Sequence, residues 1–113
     1  MAHELRFSPG AIEDIEEVLL YTLARFGERK YMEYAELIRL ALEDIRANPD
    51  QIPPKRRPQI HLDARTFHIA RRGRAARHFL LYRIVGEEFV DVGRLLHDAM
   101  DLHLHLPGGY APN

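Results

Sequence analysis

Past a short alternating segment at residues 3–7, the hydrophobic pattern of this chain changes period once, in the stretch between residues 49 and 64, and that change limits the folds open to it. Before it, apolar residues recur every three or four positions, the spacing that lays them along one face of an α-helix. After it they alternate, as in a strand with two unlike faces. A chain of 113 residues has room for one core. Helices and strands must then share that core as two layers, which predicts an α+β domain spanning residues 1–113.

The elements follow in order. Residues 3–7 alternate, with His3, Leu5 and Phe7 on one face and Glu4 and Arg6 on the other, as in a short half-buried strand. Ser8 is a good helix N-cap, and Pro9 suits the first helical turn, where a missing N–H costs nothing. Glu13, Asp14, Glu16 and Glu17 lie toward the N-terminal end, the end a helix dipole favours for acid. Ile12, Ile15, Leu19, Leu23 and Phe26 form an apolar stripe, and Gly27, able to take the left-handed conformation of a C′ residue, is suited to end the helix. A second stripe follows at once, of Tyr31, Tyr34/Ala35, Ile38, Ala41/Leu42 and Ile45, and Asn48-Pro49 closes it. Two helices joined by so short a turn should form an antiparallel hairpin.

Residues 49–64, with Pro49, Pro53, Pro54 and Pro58 around Lys55-Arg56-Arg57, read as a loop, long enough to suggest a function. Phe67 and Ile69 then alternate with Thr66 and His68. Residues 77–85 read as a buried central strand, Gly86-Glu87 as a tight turn, and 88–96 as the returning strand of a β-hairpin. The segment after His97 has little periodicity and is expected to fray over about 103–113. The predicted order is β-α-α-β-β-β, with an N-terminal helical hairpin packed on a small, mainly antiparallel sheet.

Charge narrows the function. Residues 1–50 carry 6 Lys/Arg against 11 Asp/Glu, and residues 51–113 carry 10 against 6. Within 55–83 nine cations face Asp63 alone. A near-neutral chain (net charge −1) with one basic region suits an acidic protein surface better than general nucleic-acid binding. There is no Cys, hence no disulfide and no Cys-ligated zinc. No apolar N-terminal h-region and no membrane-length apolar run is visible, so a cytoplasmic protein without membrane contact is expected. No P-loop, dinucleotide fingerprint, Gly-x-Ser-x-Gly or His-Glu-x-x-His motif is present, which favours binding over catalysis and predicts no cofactor.

Four segments resemble the ParE branch of the ParE/RelE toxin superfamily. They are Leu5-Arg6-Phe7-Ser8-Pro9-Gly10-Ala11 with Asp14-Ile15; Tyr21-Thr22 to Phe26-Gly27-Glu28; Ala47-Asn48-Pro49; and Arg65-Thr66-Phe67 followed by Arg77-His78-Phe79-Leu80-Leu81-Tyr82-Arg83-Ile84 and Arg94-Leu95-Leu96-His97-x-x-Met100-Asp101. The likeness runs from residue 4 to about 101. An extra Arg72-Gly73-Arg74-Ala75-Ala76 departs from it. The resemblance implies the toxin of a type II toxin–antitoxin pair. A ParD-type antitoxin would neutralise it in a hetero-oligomer, and DNA gyrase would be the bound target.

Within that frame the antitoxin-binding candidates are Tyr21, Arg65, Phe67, Arg83 and Arg94, and the target-binding candidates are Arg94, His97, Met100 and Asp101. Arg83 and Arg94, on neighbouring strands near the solvent-facing side, could form a cationic surface for a partner's carboxylates or be ordinary solvated arginines. Tyr21, off the main stripe, is the better surface aromatic, whereas Tyr34 reads as hairpin core. No catalytic group is expected. The alternative is a RelE-type mRNA endoribonuclease using Arg83, Arg94 and His97, with His97 as general acid or base; a single Lys beyond residue 31 weakens it. His97, Asp98, Asp101, His103 and His105 have zinc-ligand chemistry but lie where no rigid element is expected, so no native metal site is predicted.

Overall fold

The structure, a computed structural model, describes residues 2–50, 55–56, 64–70 and 73–99. Its elements are β1 (Glu4–Phe7), α1 (Pro9–Phe26), α2 (Glu28–Ala47), β2 (Lys55–Arg56), β3 (Ala64–His68), β4 (His78–Val85) and β5 (Phe89–His97). The strands form one sheet in the order β1-β5-β4-β3-β2. Only β1 runs parallel to its neighbour, β5; the other pairs are antiparallel. This is the expected helical hairpin on a mainly antiparallel sheet. The addition is β2, two residues from the predicted loop that pair with Thr66 and Arg65.

Local chemistry explains the boundaries. Ser8 Oγ accepts the Ala11 N–H at 3.0 Å, and Pro9 occupies the first turn of α1. Gly27 joins the helices with φ +90° and ψ 177°, a combination open essentially to glycine alone. It is therefore not the left-handed helical cap that the sequence suggests. Asn48 ends α2 before Pro49, and Gly86 (φ +63°) makes the β4–β5 turn.

The core lies between the layers. Leu37, Ile38, Ala41 and Ile45 from α2 meet Phe67, Ile69, Leu80, Tyr82, Val90, Val92 and Leu95, with Leu5 packed from β1. Two bonds fasten the end of α2 to the sheet side. His3 N–H donates to the Arg46 carbonyl at 2.8 Å. The buried Tyr82 hydroxyl donates to the Pro49 carbonyl, and burial pushes the phenol's pKa up. The other face of the sheet is also covered, since Ala64, Thr66, Leu81 and Leu96 are at most 5% exposed.

α1 sits in a different helical phase from the predicted one. Ala11 and Thr22 are buried, and Ile15, Val18 and Leu19 pack on the core. Ile12, Leu23 and Phe26, expected to face inward, are 48%, 40% and 60% exposed. What sets the phase is polar. Asp14 accepts Arg94 Nε at 2.6 Å, Arg94 Nη2 at 2.9 Å and the Leu95 N–H at 3.0 Å. Ser8 Oγ donates to the Gly93 carbonyl at 2.6 Å. Gly93 is left over where Leu81 pairs with Arg94 but Tyr82 with Val92, a β-bulge. Gly10 leaves room for the arginine, because a Cβ there would lie 3.3 Å from Arg94 Cδ.

Asp14→Ala should lower unfolding free energy by roughly 2–4 kcal/mol, because it strands a partly buried guanidinium and a strand N–H. Urea denaturation of D14A, R94M and the double variant checks this. The double variant should lose less than the sum of the single losses.

Candidate functional site

A groove of about 840 Å³ opens where the tip of the helical hairpin meets the start of β4 and the end of β5. α1 contributes Glu17, Val18, Tyr21, Thr22 and Phe26, and α2 contributes Lys30, Glu33, Tyr34 and Leu37. Arg74, Ala75, Arg77, His78 and His97 complete the wall. The phase of α1 creates it. With Ala11, Ile15 and Val18 turned inward, Tyr21 and Phe26 stand out of the core at 61% and 60% exposure. Their rings meet edge to face, with centroids 6.3 Å apart. Leu20 (65% exposed) and Met32 (62%) extend the exposed apolar surface of the hairpin.

At the β4–β5 end the groove has a polar wall. Tyr34 OH lies 2.6 Å from His78 Nδ1 and accepts the Arg77 N–H at 3.1 Å. His78 and His97 face each other edge-on at 5.2 Å. Burial, then the neighbouring His97, push the His78 pKa down to about 4, so its ring is neutral at pH 7. Ala99 N–H donates to His97 Nδ1, and Ala70 N–H to His68 Nδ1, both at 3.1 Å. His68 Nε2 lies 3.3 Å from Asp98, and that bond holds the Asp98 carboxyl below the usual range.

The predicted residues do not gather into one site. Tyr21 and His97 line the groove. Tyr34, read as hairpin core, lines it too while packing on the core. Phe67 (4% exposed) is a core residue and offers no surface to a partner. Arg65 (6% exposed) is held by Asp50 at 3.1 Å and by the Ala64 carbonyl. Both were expected at an interface; as helix-side residues of β3 they are enclosed instead. Arg83 and Arg94 form no common cationic surface, since each is already paired with a carboxylate, Arg83 with Asp91 at 3.2 Å and Arg94 with Asp14. Asp91 also binds Arg6 at 2.6 Å, and the Arg6 guanidinium lies over the Phe89 ring. Burial would raise the Asp91 pKa, but the Arg6 and Arg83 bonds outweigh it and hold it low.

The alternative nuclease set is spread out as well. His97 pairs with His78 and Arg83 lies five residues further along β4, roughly 17 Å at strand spacing. Met100 and Asp101 lie outside the described residues, as do His103 and His105. Among the described residues no three His, Asp or Glu are placed to hold a metal, and no helix is long and apolar enough to cross a membrane. Sequence reasoning passed over Arg74, Arg77 and His78 as site residues. A lone strand histidine carries no signal until its neighbours are known.

A model of the ParE toxins of type II toxin–antitoxin systems (parDE) matches residues 5–102. Toxin ParE1 of Mycobacterium tuberculosis, from each of two strains, is 30% identical over 112 residues, covering 94% of this chain and 100% of the relative. Among solved structures, a chain of the chromosomal ParDE system from P. aeruginosa superposes with a TM-score of 0.67 at 16% identity, covering 85% of this chain and 96% of its own, and so shows the fold. A chain of the toxin–antitoxin complex RelBE2 from Mycobacterium tuberculosis superposes with a TM-score of 0.54 at 25% identity, covering 86% and 99%.

The low His78 pKa predicts a pH dependence of stability. Between about pH 4 and 6.5 the unfolded chain binds a proton at His78 that the folded chain does not, so stability falls as pH drops through that window. Urea denaturation from pH 7 to 4 should show the decline, and His78→Phe should flatten it. An NMR titration should place the His78 midpoint near 4 rather than near 6.5.

Proposed function

We propose that this chain, which belongs to the ParE toxin family of type II toxin–antitoxin systems, acts by binding proteins rather than by catalysing a reaction. Its neutralising partner is a ParD-type antitoxin in a hetero-oligomer, and its target is DNA gyrase, whose block stops replication in the cytoplasm.

The observation that carries the reading is the open apolar groove with Tyr21 and Phe26 on its rim. A well-formed apolar groove with a few convergent polar groups is the usual form of a binding site. A groove between helices suits an amphipathic segment that folds as it binds and lays its apolar side inward. Lys30, Arg74 and Arg77 on the wall favour an acidic segment. Both solved relatives come from toxin–antitoxin systems, one of them named as a toxin–antitoxin complex, which supports a partner of that kind here.

A second reading, a RelE-type mRNA endoribonuclease, has the RelBE2 likeness in its favour. Against it stand the internal ion pairs of Arg83 and Arg94 and the distance of Arg83 from His97.

Purified toxin should stall supercoiling by gyrase, with cleaved DNA accumulating, and should leave mRNA intact in a translation reaction run in parallel. Cut mRNA with normal supercoiling would transfer the function to the nuclease reading. For the antitoxin, Tyr21→Ala and Phe26→Ala should each weaken binding about tenfold or more, the range of an interface aromatic. Calorimetric titration measures the affinities. Thermal midpoints should barely move, because both rings are exposed in the free toxin.

A further inference from the structure

We infer that His78 and His97 form the polar anchor of the groove, two imidazoles whose Nε2–H groups together receive a carboxylate from the antitoxin segment bound there. The inference rests on the antitoxin reading of the groove and adds which side chains recognise which group.

The tautomers follow from the bonding. The His97 Nδ1 is an acceptor, because only the Ala99 amide can donate in that pair. Its ring proton therefore sits on Nε2. The Tyr34 oxygen already accepts the Arg77 N–H, and its own proton goes to His78 Nδ1, which again leaves the ring proton on Nε2. The His68 Nδ1 is taken in the same way by Ala70, but its Nε2–H has an acceptor in Asp98. Among the described residues nothing accepts from Nε2 of His78 or His97. Neither atom is buried and unsatisfied, and both rings line the groove. The two rings are neighbours, with centroids 5.2 Å apart, so one carboxylate can reach both donors.

The surroundings select the same ligand. Of the three cations on the wall, Lys30 is 3.4 Å from Glu33 and Arg77 is 3.7 Å from Asp98, while Arg74 has no ion pair among the described residues. Val18, Leu37 and Ala75 add apolar wall, and Glu17 is its one further carboxylate, so cations outnumber carboxylates three to two. The occupant that fits has an apolar ridge ending in one Asp or Glu, set against the histidines.

A carboxylate at this point must raise the His78 pKa, so affinity becomes linked to protons. The groups that act on His78 are Tyr34 from α2, Asp14 from α1, His68 from β3, Arg77 beside it, and His97 and Asp98 at the end of β5. Lys30, Glu33, Glu17 and Arg74 share the groove. All of these are present in free and bound toxin alike, and further burial by a partner would lower the midpoint, so a rise on binding reports an incoming carboxylate.

The test uses the full-length toxin and the antitoxin encoded with it, with each Asp or Glu of the antitoxin C-terminal segment changed in turn to Asn or Gln. Affinity is measured from pH 7.5 to 5.5, and the histidine ring nitrogens are followed by NMR. The expected result is a rise of about tenfold in affinity toward pH 5.5, with the His78 midpoint moving up from about 4 in the complex. One antitoxin Gln or Asn variant and the toxin variant His78→Phe should both abolish the rise; the antitoxin variant leaves the toxin's own fold untouched. Tight binding whose affinity stays level or falls toward pH 5.5, with an unmoved His78 midpoint, overturns the anchor. Failure to bind at any pH would sink the antitoxin reading itself.

Discussion

Asp14 joins the two layers of this protein, and the geometry of its groove depends on that join. A single carboxylate on α1 receives a bidentate arginine from β5 and the next strand amide. Bonds of this kind have direction, whereas apolar burial does not. They fix the rotation of α1 about its axis, which hydrophobic pattern alone leaves open. The side chains around the join are shaped for it: Ser8 holds the bulge carbonyl of Gly93, and Gly10 has no Cβ to obstruct Arg94.

The rotation decides which apolar residues are spent on the core and which remain for a partner. Small residues, Ala11 and Thr22, face inward and let the helix approach the sheet closely, with the Thr22 hydroxyl satisfied by the Val18 carbonyl at 2.7 Å. Larger ones, Tyr21 and Phe26, are left on the outside. A marginally stable domain that keeps aromatic rings in water forgoes part of the stabilisation those rings could supply. A binding partner that covers them recovers it. At the β4–β5 end the same groove meets His78 and His97, so its apolar trough ends against imidazole rings.

Much of the fold was legible because local signals agreed with one another. Ser8-Pro9, Asn48-Pro49 and Gly86 each end or begin an element for a reason confined to a few atoms, and the second helical stripe, Ile38 to Ile45, is buried as its spacing says. The α1 stripe was legible only in part: Ile15 and Leu19 pack on the core as expected, but Ala11-Ile15-Val18-Thr22 and Ile12-Ile15-Leu19-Leu23-Phe26 both have helical spacing. The second is the more hydrophobic, and the Asp14 bond overrules it. The site was less legible than the fold. Arg83 and Arg94 are cations in the sequence, but their carboxylates lie eight and eighty residues away. Arg65 and Phe67 alternate correctly along β3, yet alternation does not say which face of the sheet the helices cover. His78 gains its meaning only from Tyr34, forty-four residues earlier.

The most direct measurement of the central claim is amide hydrogen exchange on the toxin alone and with its antitoxin, because it reports where a partner sits without altering a residue. If the groove is the docking surface, new protection should concentrate in residues 17–34 and 74–78 and leave β1 and the β4–β5 turn unchanged. Protection confined to β1 and that turn, with the helical hairpin exchanging as in the free toxin, would contradict the account.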